Sequence, residues 1–179
     1  MSPSDGDANA PVPATLEAFM VQALQMELDA AQRYNEFADM MEVHNNPEVV
    51  EWFRKMAVIE GKHAAHIMAQ MGWSTVPALS ANAPRLAGFE AVEGAAVDEL
   101  HYLMQPWHVL QLALAGEERA ERFFAQMARE TKIETIRMAA TTLQQEERDH
   151  VELVKAWMQK VPQPDNNWDQ DPDPPRYDD

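Results

Sequence analysis

Four stretches of the sequence repeat apolar residues at alternating spacings of three and four, the pattern of a helix with one buried face. They cover about residues 15–44, 46–72, 106–130 and 131–161. The pattern therefore predicts an all-α fold, in which four long helices pack around one core within residues 15–161.

Cap residues indicate where some of these helices begin and end. Asn46 stands at an N-cap position, Pro47 follows at the first helical position, and Gly72 ends the second helix. Thr131 and Glu134 have the spacing of a capping box, which predicts that the fourth helix starts at Thr131.

The lengths of the connections predict the topology. A few residues separate helix 1 from helix 2 and helix 3 from helix 4, so each pair forms an antiparallel hairpin. About 30 residues, 73–105, join the hairpins, with a short helix expected near 97–104. That length can cross the whole bundle, so we predict a four-helix bundle with a long crossover between helices 2 and 3.

Ionisable residues interrupt the apolar rows of all four helices at about the same depth. Helices 2 and 4 each carry the motif Glu-x-x-His, and helices 1 and 3 each carry a glutamate in the row. These residues are Glu27, Glu60, His63, Glu117, Glu147 and His150. Counted from the hairpin turns at ~1.5 Å per residue, the four glutamates lie roughly 21 to 27 Å along their helices, so they can meet in one layer.

Four carboxylates in an apolar core are very unfavourable while all are ionised, since each loses several kcal/mol of hydration. Two divalent cations would balance the four negative charges. Carboxylate with imidazole suits iron or manganese, and the absence of thiolate argues against a structural zinc site. The candidate site is therefore a dinuclear metal centre.

Charge and cysteine usage exclude several other classes of protein. The net charge of −16 argues against non-specific binding of nucleic acid or anionic membrane. No cysteine is present, which excludes disulfides, iron–sulfur clusters and rubredoxin-like iron within the chain. No apolar run approaches the ~18 residues of a membrane span and no leader is evident, so we expect a cytoplasmic protein.

The two ends of the chain differ from the helical part in composition. Residues 1–14 and 162–179 are rich in Pro and Asp and poor in aliphatic residues, so we predict that both are flexible. The second of these, called the acidic tail below, holds six aspartates and one arginine. Trp168 and Tyr177 could make it a docking peptide for a partner, although a solubilising role is the simpler interpretation.

The helices bearing these motifs resemble the ferritin-like superfamily, most closely its rubrerythrin and bacterioferritin branches. Glu27 is followed seven residues later by Tyr34, as in both branches, and the sequence Leu-Ala-Gly before Glu117 is similar to that of rubrerythrins. A glutamate from each of two helices with Glu-x-x-His from the other two is the ligand set of di-iron carboxylate bundles. The resemblance covers about residues 16–160.

The resemblance implies two Fe ions, with Mn as an alternative, that react with O2 or H2O2. It implies terminal carboxylate ligands at Glu27 and Glu117, bridging carboxylates at Glu60 and Glu147, and one imidazole ligand per metal at His63 and His150. Tyr34 is the candidate catalytic residue, which hydrogen-bonds a ligand or donates an electron; a core tyrosine with a satisfied hydroxyl is the alternative.

The sequence departs from the family pattern in several places. Rubrerythrins usually carry a second glutamate three residues after the first on helix 3, but Ala120 occupies that position here. Glu121 is either an additional metal ligand or a solvated charge. Gly61 replaces the methionine that binds haem in bacterioferritins, so no haem is expected.

These departures shape the expected partners. Without rubredoxin cysteines, a peroxidase would need an external electron donor. The acidic tail replaces a fifth helix, so we expect a homodimer rather than a 24-subunit cage. The leading hypothesis is a di-iron peroxidase or ferroxidase. The alternatives are an oxygenase acting on an organic substrate and a non-catalytic metal-storage, sensing or cargo protein.

Overall fold

The computed structural model of the chain describes residues 10–79 and 105–166. Within these ranges it contains four helices and no strand: α1 (Leu16–Val43), α2 (Pro47–Met71), α3 (Pro106–Glu130) and α4 (Glu134–Met158). The all-α four-helix bundle is confirmed. The predicted short helix near 97–104, most of the flexible N-terminal segment and most of the acidic tail lie outside the described residues.

The first three helices begin and end near the predicted residues. The Thr15 hydroxyl accepts from the backbone N–H of Ala18 at 3.1 Å and caps α1. The Asn46 side chain accepts from the N–H of Val49 at 3.4 Å, which caps α2. α2 stops at Gly72, whose φ of +67° lies in the left-handed region that favours glycine.

The predicted capping box at Thr131 is wrong, because α4 begins at Glu134 with Ile133 as its N-cap. The backbone of Thr131 is extended and ends α3. Its hydroxyl accepts from the N–H of Ile133 at 3.1 Å, within the connection itself. The same hydroxyl is therefore engaged in a local turn, which competes with helix capping.

The helices pack as two hairpins, α1 with α2 and α3 with α4. Apolar side chains form two separate core clusters. One contains Phe19 and Phe124, and the other contains Phe37 and Phe53. Along every helix, the predicted ligand residues fall between the parts that enter one cluster and the parts that enter the other. The polar layer therefore divides the core in two.

The buried face of helix α3 is rotated relative to the predicted row, which comprised Leu110, Leu114, Glu117, Glu121, Phe124 and Ala128. Leu110, Glu117 and Phe124 are buried as predicted, but Leu114, Glu121 and Ala128 are only partly buried. Their places in the buried face are taken by Ala113, Ala120 and Met127. No helix in the described part of the chain is long and apolar enough to cross a membrane.

Candidate metal centre

The structure brings the six predicted ligand residues together between the two core clusters. Glu27 and Glu60 are each 1% exposed, and Glu117, Glu147 and His150 are each 5% exposed. The side chain of His63 is 22% exposed, so this imidazole alone stands at the edge of the layer. Burial of this many ionisable groups requires compensation by opposite charge.

His150 occupies the middle of the layer. Its Nδ1 lies 3.1 Å from Oε1 of Glu60, 3.4 Å from Oε2 of Glu117 and 3.4 Å from Oε2 of Glu147. Three carboxylates from three helices therefore converge on one imidazole nitrogen.

His63 contributes a second nitrogen on the other side of Glu60. Its Nδ1 lies 3.7 Å from Oε2 of Glu60 and 3.6 Å from Oε2 of Glu27. The rings of His63 and His150 stack at 5.2 Å between centroids and 6° between planes. Oε2 of Glu60 thus faces His63 and Oε1 faces His150, which is the arrangement that a carboxylate bridging two metal ions would need.

Most of these atoms have no hydrogen-bond partner in the described part of the chain. Both carboxylate oxygens of Glu27 and of Glu60 are buried without a donor, and Nδ1 of His63 and of His150 is also unpartnered. An unsatisfied buried polar group costs about 1–3 kcal/mol, and more when it is charged. A bound cation would satisfy these oxygen and nitrogen atoms, because it accepts the lone pairs that have no hydrogen-bond donor.

Two overlapping sets of side chains can each hold an ion. Glu60, His63 and His150 form one set, and Glu117, Glu147 and His150 form the other, with ligand atoms within 4.8 Å of one another in each. Glu27 adds a carboxylate beside His63. Two divalent cations would balance the four carboxylates, and oxygen with nitrogen donors suits iron or manganese. The donor set therefore fits a dinuclear centre.

Protons take part of this role in the metal-free protein. Burial raises the pKa of Glu60 and of Glu147 well above the ordinary value. For Glu117, burial is outweighed by the positive charge of the adjacent His150, so its pKa is lowered. Burial disfavours charged His150, but the close carboxylates of Glu117, Glu147 and Glu60 outweigh it and raise the pKa of this imidazole. Metal binding must therefore displace protons.

Tyr34 is directly connected to the carboxylate layer. Its hydroxyl is buried and donates a hydrogen bond to Oε1 of Glu117. Burial and the negative charge of Glu117 raise the pKa of the phenol well above the ordinary value of 10.0, so it remains a neutral donor. This hydrogen bond leaves Oε2 of Glu117 facing His150.

Glu121 lies apart from both sets of possible ligands. Its Oε1 accepts from Nη2 of Arg148 at 3.0 Å and from the amide of Gln144 at 3.4 Å, and its side chain is 25% exposed. The rotation of α3 explains this position, since Ala120 rather than Glu121 continues the buried row after Glu117. The structure thus places Glu121 in a partly exposed ion pair between α3 and α4.

No pattern in the sequence predicts that Arg33 lies beside the centre. A small cavity between α1 and α3 is bordered by Arg33, Tyr34, Gly116, Glu117 and Glu147. Arg33 directly precedes the buried residue Tyr34, and a single arginine beside an apolar row normally faces solvent. In the structure its guanidinium lies close to Gly116, since a Cβ at that glycine would be 3.5 Å from Nη1 of Arg33, an ordinary van der Waals contact.

Comparison with known proteins places this arrangement in a family. The rubrerythrin family model matches residues 18–83 and 108–172. The chain is also similar to the crystal structure of an uncharacterised conserved protein from Magnetospirillum magnetotacticum MS-1. That match has 30% identity and a TM-score of 0.67, and it covers 84% of this chain and 98% of the other. No curated protein matches. The chain belongs to the rubrerythrin family.

Proposed function

We propose that the protein is a di-iron oxidoreductase that reduces H2O2 or O2, acting as a peroxidase or a ferroxidase. The observation that carries this proposal is the pair of ligand sets that share His150. Within them both oxygens of Glu60 and the Nδ1 atoms of His63 and His150 are buried without a hydrogen-bond partner in the described chain. Iron bound there would supply electrons to the oxidant. Family membership supports iron as the metal.

The size of the cavity beside the site favours a small oxidant. The space next to Tyr34, Glu117 and Glu147 measures about 20 Å³. A volume of this size accommodates roughly one water-sized molecule. Dioxygen and hydrogen peroxide are close to that size, whereas an organic substrate is far larger.

A larger open groove of about 720 Å³ lies on the face between α2 and α4. Among the six predicted ligands, only His63 borders it. An organic molecule in this groove would meet the edge of one imidazole and none of the four glutamates. The geometry therefore gives less support to an oxygenase than to an enzyme that reduces peroxide or dioxygen.

The protein's own groups have definable tasks in this reaction. Tyr34 keeps its proton, orients Glu117, and is a proton donor beside the cavity. Glu60 faces both histidines and would hold the two metals together. The chain has no cysteine to bind a second redox centre, so we propose an external electron donor for a peroxidase cycle.

The proposal is tested by loading the protein anaerobically with Fe(II) and comparing the oxidation rates after addition of H2O2 and of O2. Faster reaction with H2O2 would identify a peroxidase, and faster reaction with O2 a ferroxidase. An iron content far above two per chain would favour storage instead. Glu121→Gln is the matched control, because it removes a carboxylate outside the cluster.

Iron oxidation that is equally fast in Glu117→Gln and in Glu121→Gln would contradict the proposed site. Loss of reaction in Glu117→Gln alone would support it. Both substitutions neutralise one glutamate of α3, so they have the same effect on net charge.

A further inference from the structure

Three arginines gather on one side of the bundle, although the chain as a whole is strongly acidic. Arg33 belongs to α1, while Arg119 and Arg122 belong to α3, and we call these three the arginine cluster. Burial lowers the pKa of Arg119, and the positive charges of Arg33 and Arg122 lower it further. The positive charges of its two neighbours make the position of Arg119 unfavourable, and an anion beside Arg119 would offset this repulsion.

Arg119 is the member whose hydrogen-bonding groups lack partners. Its Nε and Nη2 atoms are buried and donate no hydrogen bond within the described part of the chain. The guanidinium carries five N–H donors in a fixed planar arrangement that matches a carboxylate. This side chain therefore has the geometry and the charge to bind a carboxylate.

The first residues of the acidic tail lie against α3, the helix that carries Arg119 and Arg122. Residues 163–166 lie against the first turns of α3, where they border a shallow pocket with Trp107, His108, Gln111 and Leu112. Leu112 and Arg119 are seven residues apart, so they lie on the same side of α3, separated by about 10 Å along the helix axis. Arg122 lies about 15 Å beyond Leu112 by the same measure.

The remainder of the tail is long enough to reach the arginine cluster, and its negative charge complements the positive charge of the arginines. Residues 167–179 contain five aspartates and one arginine. At ~3.3–3.6 Å per extended residue, Asp169 can reach roughly 10 Å from Asn166 and Asp173 roughly 23–25 Å. Asp169 and Asp173 can therefore span the distance along α3 to Arg119 and Arg122.

We propose that the arginine cluster is a docking site for the aspartates of the chain's own acidic tail, chiefly Asp169, Asp171 and Asp173. The carboxylates satisfy the N–H groups of Arg119 and offset the repulsion that its neighbours exert on it. Docking holds the tail along α3, beside the cavity that borders Glu117. This proposal does not depend on the identity of the metal or the oxidant.

A distance measurement within the full chain tests this docking. The chain has no cysteine, so spin labels can be attached to Lys132→Cys, in the α3–α4 connection, and to Pro174→Cys, directly after Asp173. A free segment from Asn166 to residue 174 would have a root-mean-square end-to-end distance of about 14–17 Å, and the distances between the labels would be broadly distributed. Double electron–electron resonance should instead give one narrow distance distribution at low ionic strength.

Two sets of substitutions should broaden that distribution to the width of a free segment. One is Arg119→Gln with Arg122→Gln. The other is the conversion of the three aspartates to asparagine, which leaves the helical bundle untouched. Arg54→Gln with Arg137→Gln is the control of equal charge for the first set, because both arginines already pair with carboxylates elsewhere in the bundle.

Three results would overturn the proposal. The first is a broad distribution in the parent labelled chain, and the second is a narrow one that persists in both sets of variants. The third is a narrow distribution that disappears on dilution with unlabelled protein. That last result would mean that the tail docks on a second copy of the chain.

Discussion

Tyr34 on α1 donates a hydrogen bond to Oε1 of Glu117 on α3, 83 residues further along the chain. This contact joins the two hairpins at the level of the carboxylate layer. It also fixes which oxygen of Glu117 turns toward His150, since Oε2 lies 3.4 Å from Nδ1 of that histidine. The phenol therefore positions a candidate ligand, and in the proposed reaction it would also be a proton donor beside the cavity.

Replacing Tyr34 with phenylalanine should separate these roles from metal binding. We expect Tyr34→Phe to bind the same number of Fe(II) ions and to destabilise the metal-free protein by about 1–3 kcal/mol, because Oε1 of Glu117 loses its donor. The oxidation rate should fall by roughly 10²-fold, the size of effect typical of a lost proton donor. Chemical denaturation and stopped-flow absorbance measure the two effects.

An unchanged oxidation rate in Tyr34→Phe would show that the hydroxyl has only a structural role. Phe37→Leu alters the neighbouring core without touching the carboxylates and serves as the control for packing.

The stability of the metal-free protein should decrease as the pH rises. Burial raises the folded-state pKa of Glu60 and Glu147 above the ordinary value of 4.5, and the neighbouring carboxylates raise that of His150 above 6.5. A group with a raised folded pKa contributes stability that is fully present below its unfolded pKa and is lost as the pH rises through the folded pKa. Glu117 has the opposite sign, because its pKa is lowered.

Three groups with raised pKa values outweigh one with a lowered value. The free energy of unfolding of the metal-free protein should therefore fall between about pH 5 and pH 8, and urea titrations across that range measure it. In Glu147→Gln the decrease should be smaller, because one of the titrating groups is gone. A metal-free protein that becomes steadily more stable over this range would contradict the assigned signs.

Metal binding should reverse this trend. A ligand that binds only the folded state at 100 times its Kd adds about 2.7 kcal/mol per site. Saturating Fe(II) or Mn(II) should thus raise the unfolding midpoint, and more strongly at pH 7.5 than at pH 5.5, because protons compete for Glu60, Glu147 and His150. Differential scanning calorimetry with and without chelator measures the shift.

Much of the arrangement could be predicted from the sequence because the helical rows are regular. The rows of α1, α2 and α4 alternate spacings of three and four, so the glutamates and histidines within them had to face inward once the helices packed. The bundle and the convergence of Glu27, Glu60 and His150 followed from those rows. The number and identity of the metals stay predictions.

The errors arose where local spacing left two choices. After Glu117, positions three and four residues later are both compatible with a helical row, and packing selected Ala120 over Glu121. The capping box at Thr131 had the right residues, but its hydroxyl bonds to Ile133 instead. The position of Arg33 beside Gly116 depends on how the two hairpins face each other, which no local pattern specifies.

We predict that the layer of ionisable residues around His150 binds two metal ions. The most direct test is the Fe(II) content of anaerobically loaded protein, measured by mass spectrometry on the parent chain, Glu60→Gln and Glu121→Gln. We predict two ions per chain in the parent and in Glu121→Gln, and a clear loss in Glu60→Gln, since Glu60 faces both histidines. No bound iron in the parent, or equal iron in all three proteins, would contradict the claim.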